Sequence, residues 1–456
     1  MKAVAHRAAS VVTSWPVLRQ DAALYALAAV FSIGVIGLAV TADYRLWAEI
    51  ALVAYLVAAV ACEVGNRLLT RAAARHASPP PDVTTSWFRR GVILAVLVGA
   101  VLLPLGILVS LRASATTCVT NPHGARVQPE VAVIERAGDR LAAFRDPYLS
   151  HPQTVGVSPS NDCKSVDAHS YFPYLPGMIP FGLPNAANLP AGLGDARVAL
   201  VGFTLLVVPL ALYLAPATRR RKWRAFQFIV VLPTGALPMV TGGDDLPVLA
   251  LLLLGLVLLH RRRPVLAGLV MGLAGTLKLT AWPLVLLALL AARDEDDRPA
   301  AFRYGLSVLY VAVPVIGAGA ALGPHAFWRN VVLFPLGLTH VHSPAASPLP
   351  GQVLVQLLPS FKREITVALV AFGAIVVLTM LVRRTPRTAY AAARFAGWSL
   401  ALATVIAPAT RFGYLIYPAN MIVWAYLLHE EPPPALPSHT LAASGAALAG
   451  IGAGGE

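Results

Sequence analysis

Residues 242–293 read GGDDLPVLALLLLGLVLLHRRRPVLAGLVMGLAGTLKLTAWPLVLLALLAAR. Leu246 to Leu259 is an unbroken apolar run without strand-like alternation, which predicts a helix surrounded by apolar material. It ends in His260-Arg261-Arg262-Arg263, and the next apolar stretch, Pro264 to Ala292, is closed by another basic residue, Arg293. A single tilted helix over that stretch would put its two basic ends on opposite sides of a membrane. It would also leave Lys278 in hydrocarbon, where an unpaired charge is costly. Two short helices turning at Gly275-Thr276-Leu277-Lys278 keep both basic ends on one side and place Lys278 at the apex. The hairpin is the reading adopted.

The same logic extends to the whole chain. Of 456 residues, 57% are apolar and only 13% charged, with mean hydropathy +0.68; soluble domains carry about a quarter charged residues. The fold class is therefore an all-α polytopic membrane protein. Apolar runs near 22–41, 48–64, 91–111, 198–215, 225–241, 246–260, 264–276, 279–292, 302–322, 365–382, 395–409 and 413–428 predict about twelve transmembrane helices. A net charge of +14 would suit nucleic acid, but the basic residues sit in short connections between apolar runs. Strict alternation gives one face 23 of the 36 Lys and Arg and the other 13, so the richer face is expected to be cytoplasmic and nucleic acid is not a partner.

On this topology residues 1–21 are a cytoplasmic N-terminus and 22–431 the membrane domain, with outer loops 112–197 and 323–363. No cleavable signal is evident, so the first span is expected to be retained. Residues 77–86 read as a cytoplasmic linker, and 432–456, rich in Pro, Ala and Gly, as a disordered cytoplasmic tail. Cys118 and Cys163 share the first outer loop, in an oxidising compartment, and are a disulfide candidate. Cys62 lies in an apolar run and reads as packing.

The longest polar segment is that first outer loop, and within it Gln128 to Leu149, QPEVAVIERAGDRLAAFRDPYL. Glu130 to Arg140 reads as a short helix with Pro129 in its first turn. Val131, Ile134 and Ala137/Gly138 share its apolar face, and Glu130 is free to point into a cleft. Asp167 and His169 precede the aromatic, proline-rich run Tyr171 to Pro180, which suits a membrane-edge anchor or a wall for sugar or isoprenoid. Lys278 and Arg411 are cations on short turns between apolar helices. Two partners are open to them: the phosphate of a lipid headgroup, or an internal ion pair with Asp244 or Asp245. His340 and His342 have no third ligand at useful spacing, and no ATP phosphate loop, zinc-protease helix or hydrolase elbow is present.

These residues carry a family resemblance. In the GT-C superfamily of membrane glycosyltransferases an acidic residue of the first outer loop precedes a short helix that ends in a D-P-Y element. Asp146-Pro147-Tyr148 resembles that element, with Glu130 at the acid's place. Residues 242–293 are similar to glycosyltransferase family 87, the polyprenyl-phosphate-mannose-dependent mannosyltransferases, through Ala267-Gly268-Leu269, Gly272, Lys278 and Pro283. Three departures stand out. Glu replaces Asp at 130, GGDD replaces an amide-containing turn, and two spans precede the span that leads into this loop, where the family generally has one. Leu24 to Val64 therefore looks like an extra N-terminal hairpin.

The resemblance implies a GT-C-like bundle with its active site on the outer face. The expected reaction moves a sugar, mannose above all, from a polyprenyl-phosphate donor to an envelope glycolipid or glycan. Glu130 would act as general base, and Lys278 and Arg411 would hold the departing phosphate. Asp146, Tyr148, Asp244, Asp245 and His169 would line the substrate pocket. A monophosphate leaving group can be met by basic side chains, so no metal and no cofactor is expected. The alternative is a transporter or flippase of a lipid-linked sugar, against which the absence of internal repeats and the long outer loop weigh; a catalytically retired relative is the third reading, given Glu at 130.

Overall fold

Each of the twelve apolar runs overlaps a helix. The computed structural model describes residues 15–39, 41–75, 87–114, 126–149, 171–187, 189, 192–293, 297, 299–335, 339, 347–408 and 410–429, and every regular element among them is helical. In chain order, α1 (Val17–Leu38), α2 (Ala42–Arg75) and α3 (Trp87–Ala113) lead to α4 (Pro129–Ala142), which lies outside the apolar runs. There follow α5 (Ala196–Leu214), α6 (Arg219–Thr241), α7 (Asp245–His260), α8 (Pro264–Leu277) and α9 (Leu279–Ala291). The chain continues through α10 (Ala300–Leu322), α11 (Pro359–Arg383), α12 (Ala389–Ile406) and α13 (Phe412–Leu428). Among the described residues eight helices are long and apolar enough to cross a membrane, and α7, α8, α9 and α13 are shorter. Cys118, Cys163, His169, His340, His342 and the segments 77–86 and 432–456 lie outside the described residues.

Prolines interrupt the long helices, and the N-terminal pair repairs the damage. Pro104 has no N–H for the Ala100 carbonyl, and α3 carries a wide turn at Val98–Leu102. The Trp47 indole of α2 donates to that carbonyl at 2.9 Å. In α6, Pro233 forces Leu232 into an extended conformation. Gly235 N turns to the Leu232 carbonyl, and the Val231 carbonyl accepts the Tyr55 hydroxyl instead, at 2.8 Å. In hydrocarbon a freed carbonyl has no water to turn to, so these side chains fix α2 against α3 and α6.

The charged residues inside the bundle fall into layers at its two ends. At one end Asp21 of α1 accepts from Arg89 of α3 and Arg224 of α6, each at 2.6 Å. Both guanidiniums also reach Gln227 Oε1, and Gln227 donates to the Tyr25 hydroxyl. This cluster explains why α1 starts at Val17, earlier than hydropathy alone predicts: Asp21 is fully buried because its charge is met.

At the other end Arg112 of α3 bonds Glu135 of α4 and Asp195, the N-cap of α5. Arg197 closes on Asp195 and donates to the Val240 carbonyl of α6. Helices α3 and α6 enter both layers at opposite ends, so the layers cap the bundle on either side. Burial pushes the Asp195 carboxyl up, and the guanidiniums of Arg197 and Arg112 more than reverse this, holding it well below the usual carboxylate range.

The second layer clamps α4 onto the bundle. Its buried face is Val131, Val133, Ile134, Glu135, Ala137 and Gly138. A Cβ on Gly138 would strike the backbone of Gly182, and one on Gly182 the Ile134 carbonyl, so the two glycines set how closely α4 sits.

Asp21→Ala strands two guanidiniums beneath the surface and is expected to lower stability by about 3–5 kcal/mol, read as a fall in Tm in detergent. Leu27→Ala, on the exposed face of α1, should shift it by less than about 0.5 kcal/mol.

Candidate active site

The break between α8 and α9 positions the first part of the site. Lys278 is extended, with φ −154° and ψ 143°, and the carbonyls released by the break find outside donors. Leu175 N donates to the Leu277 carbonyl at 3.1 Å, and the Trp282 indole to that of Gly275 at 3.1 Å. The Lys278 ammonium lies at the bundle end that carries α4. There it meets both carboxylates at the start of α7, Asp244 Oδ2 at 2.7 Å and Asp245. Of the two partners open to it in the sequence, this structure displays the internal pair.

The sequence GGDD makes that meeting possible. Gly242 ends α6 with φ +135°, a conformation that favours glycine, and a Cβ there would collide with Val131 of α4. The turn that leads into the two aspartates is therefore packed against α4. Gln128 N donates to the Thr241 carbonyl at 2.9 Å, tying the N-terminus of α4 to the same turn.

Glu130 occupies the first turn of α4. Its Oε1 accepts from Arg411 Nη1 at 2.6 Å, an ion pair between residues far apart in sequence. Tyrosines join the two charge groups. The Tyr174 ring lies 5.2 Å from the Lys278 ammonium, and the charges acting on its hydroxyl are those of Asp244, Lys278, Glu130 and Asp245. Burial, with Asp244 adding to it, holds that phenol well above its ordinary value, so it remains a neutral hydroxyl. Tyr414 is acted on by Lys278, Arg411, Asp245 and Asp244. Tyr417 donates to Asp245 Oδ1 at 2.7 Å and pairs with the Thr280 hydroxyl at 2.6 Å.

The two pairs differ in access. Side-chain exposure is 14%, 8% and 16% for Lys278, Asp244 and Asp245, but 35% and 24% for Arg411 and Glu130. Three carboxylates and two cations thus share a site in which the Glu130–Arg411 pair is the open part.

Asp146 and Tyr148 stand behind this group. Asp146 Oδ1 accepts from Tyr148 N at 2.9 Å, and the Tyr148 hydroxyl donates to the Tyr174 carbonyl at 3.0 Å. The Tyr148 ring is buried against Phe172 and Phe327. Burial raises the Asp146 carboxyl above its usual range, against the pull of Tyr148 N and Arg140. Asn330 fastens the segment by accepting from Phe172 N and donating to the Leu149 carbonyl. The D-P-Y element therefore supports Tyr174 from below. Tyr414, Tyr417, Thr280 and Gln128 join the site without having been singled out in the sequence. Only Tyr174 had a signal there, as part of its aromatic run.

Comparison with known proteins places these residues in a family. Solved structures similar to the chain include ArnT from Cupriavidus metallidurans bound to undecaprenyl phosphate, with 15% identity and a TM-score of 0.44, covering 80% of this chain and 64% of that one. ArnT in the apo state has 16% identity and a TM-score of 0.40, covering 76% and 61%. The chain thus spans a little under two thirds of the length of those proteins. No curated protein matches. Residues 172–429, more than half of the chain, match the model of glycosyltransferase family 87. That match takes in Tyr174, Asp244, Asp245, Lys278, Arg411 and Tyr417 and begins after Glu130, and the protein belongs to glycosyltransferase family 87.

Proposed function

We propose that the protein transfers a sugar, mannose above all, from a polyprenyl-phosphate donor to a hydroxyl of an envelope glycolipid or glycan at the outer face of the membrane. The observation that carries this reading is the ion pair of Glu130, on an amphipathic helix, with Arg411, beside a tyrosine whose ring lies against the Lys278 ammonium and whose hydroxyl feels the Glu130 charge. A lipid-borne donor presents its phosphate at that depth while its isoprenoid chain stays in hydrocarbon.

The chemistry is a displacement at the anomeric carbon. Glu130 takes the proton of the acceptor hydroxyl, the hydroxyl oxygen forms the new bond to the anomeric carbon, and the bond from that carbon to the phosphate oxygen breaks. Its electron pair leaves on the phosphate, which gains one negative charge. Preplaced cations favour that change because they act on charge that develops in the transition state. Arg411 is the first to meet it. It pairs with Glu130, and the donor phosphate competes with Glu130 for its guanidinium, which leaves the carboxylate free to act as a base. Lys278 is held close by Asp244 and Asp245 and adds its charge from beneath. Glu in place of Asp at 130 extends the carboxylate by one methylene, enough to span from α4 to the Arg411 turn.

In membranes supplied with labelled polyprenyl-phosphate sugars, wild type should incorporate label. Glu130→Gln should lower kcat by about 10²–10⁴-fold, the range of general-base catalysis. Undiminished incorporation removes Glu130 from the mechanism, and label that changes leaflet with no donor consumed establishes a flippase instead.

Arg411→Ala should raise the donor KM about tenfold, equivalent to about 1.4 kcal/mol of lost phosphate binding. Lys278→Ala should lower kcat/KM as well, leaving Asp244 and Asp245 as uncompensated neighbours of the phosphate. A donor KM unchanged in both variants rules out their contact with the phosphate.

A further inference from the structure

The N-terminal hairpin of α1 and α2 lies outside the residues matched by the family model, yet it reaches the start of the helix that carries Glu130. Tyr44, in the first turn of α2, bonds through its hydroxyl with the Gln128 side-chain amide. Gln128 is the N-cap of α4, two residues before Glu130, and its amide is held from the other side by the Thr241 hydroxyl at 3.2 Å. The charges acting on Tyr44 are those of Asp43 and Glu130, whereas those acting on Tyr174 and Tyr414 include Lys278, Asp244 and Asp245. Glu130 itself pairs with Arg411, whereas Gln128, earlier on the same helix start, pairs with Tyr44. Tyr44, Gln128 and Glu130 are all half-buried.

We infer that Tyr44 and Gln128 form the acceptor subsite, taking a sugar ring that presents its hydroxyl to Glu130. This inference rests on the displacement reading above. In a displacement the incoming oxygen approaches the anomeric carbon opposite the departing phosphate. The acceptor must then lie away from Arg411 and Lys278 while remaining within reach of the base. Tyr44 and Gln128 pair with each other rather than with those cations, at the start of the helix that carries Glu130, and their chemistry suits a sugar. An aromatic ring covers the C–H face of a pyranose, and a phenol and an amide serve its hydroxyls. The hairpin is thereby a specificity element of the enzyme as well as a brace for α3 and α6.

The test uses the full chain in proteoliposomes with polyprenyl-phosphate-mannose as donor and octyl α-mannoside as acceptor probe. Tyr44→Ala and Gln128→Ala should each raise the acceptor KM about tenfold or more while the donor KM stays within about twofold. Tyr44→Phe, which keeps the ring, should fall between them and wild type. Binding of polyprenyl phosphate, followed by tryptophan fluorescence, reports whether each variant retains its donor site. An unmoved acceptor KM, or loss of polyprenyl phosphate binding in both alanine variants, overturns the subsite. Wild type that consumes donor with membrane glycolipid but ignores octyl α-mannoside overturns the assignment of a sugar to it. Wild type that consumes no donor with any acceptor overturns the displacement reading and the subsite together.

Discussion

A polar group carried into an apolar bundle must find its partner within the chain, and most of this architecture follows from that constraint. Carbonyls released by Pro104 and Pro233 are met by Trp47 and Tyr55. Those released at the α8–α9 break are met by Leu175 N and Trp282. Charges obey the same rule in clusters, with Asp21 between Arg89 and Arg224 at one end and Arg112, Glu135, Asp195 and Arg197 at the other. Burying such groups costs several kcal/mol per ion unless they are paired, so their pairing decides which helices can be neighbours.

At the candidate site this rule is only partly closed. Asp21 and Arg89 are 1% exposed, but the Glu130–Arg411 pair keeps about a quarter to a third of its surface open. An ion pair with solvent access can exchange partners at low cost, because water and an incoming anion share the task of compensating each charge. The same two residues buried as Asp21 and Arg89 are would be an immobile strut. Partial closure therefore sets the Glu130–Arg411 pair apart from a structural one within a single fold, and the proposed exchange of Glu130 for a phosphate at Arg411 depends on it.

The polar layer beneath α4 links support to chemistry. Glu135 and Glu130 are on the same helix, one locked by Arg112 and the Ala196 N–H, the other open at the first turn. The Gly138–Gly182 contact and the Gly242 turn pack that helix against the turn that leads into the aspartates holding Lys278. Positions that look permissive in the sequence, such as the glycines of GGDD, are thus demands of close approach.

The sequence by itself determined the membrane class, the twelve helical runs, the short amphipathic helix at Pro129 and the break before Lys278. Each of these is local: hydropathy, periodicity and a proline or glycine within a few residues suffice to specify them. It also carried the resemblance to family 87 through residues 242–293. It left open whether Lys278 faces a phosphate or an aspartate, and it placed the start of α1 too late, because a buried Asp21 looks polar until Arg89 and Arg224 are known to cover it. The pairing of Glu130 with Arg411, the role of Tyr148 as a prop for Tyr174, and the arrival of Tyr44 beside Gln128 were decided by tertiary structure alone. These contacts join residues 281, 26 and 84 positions apart. Such distances are closed by how helices stack, which no local pattern encodes.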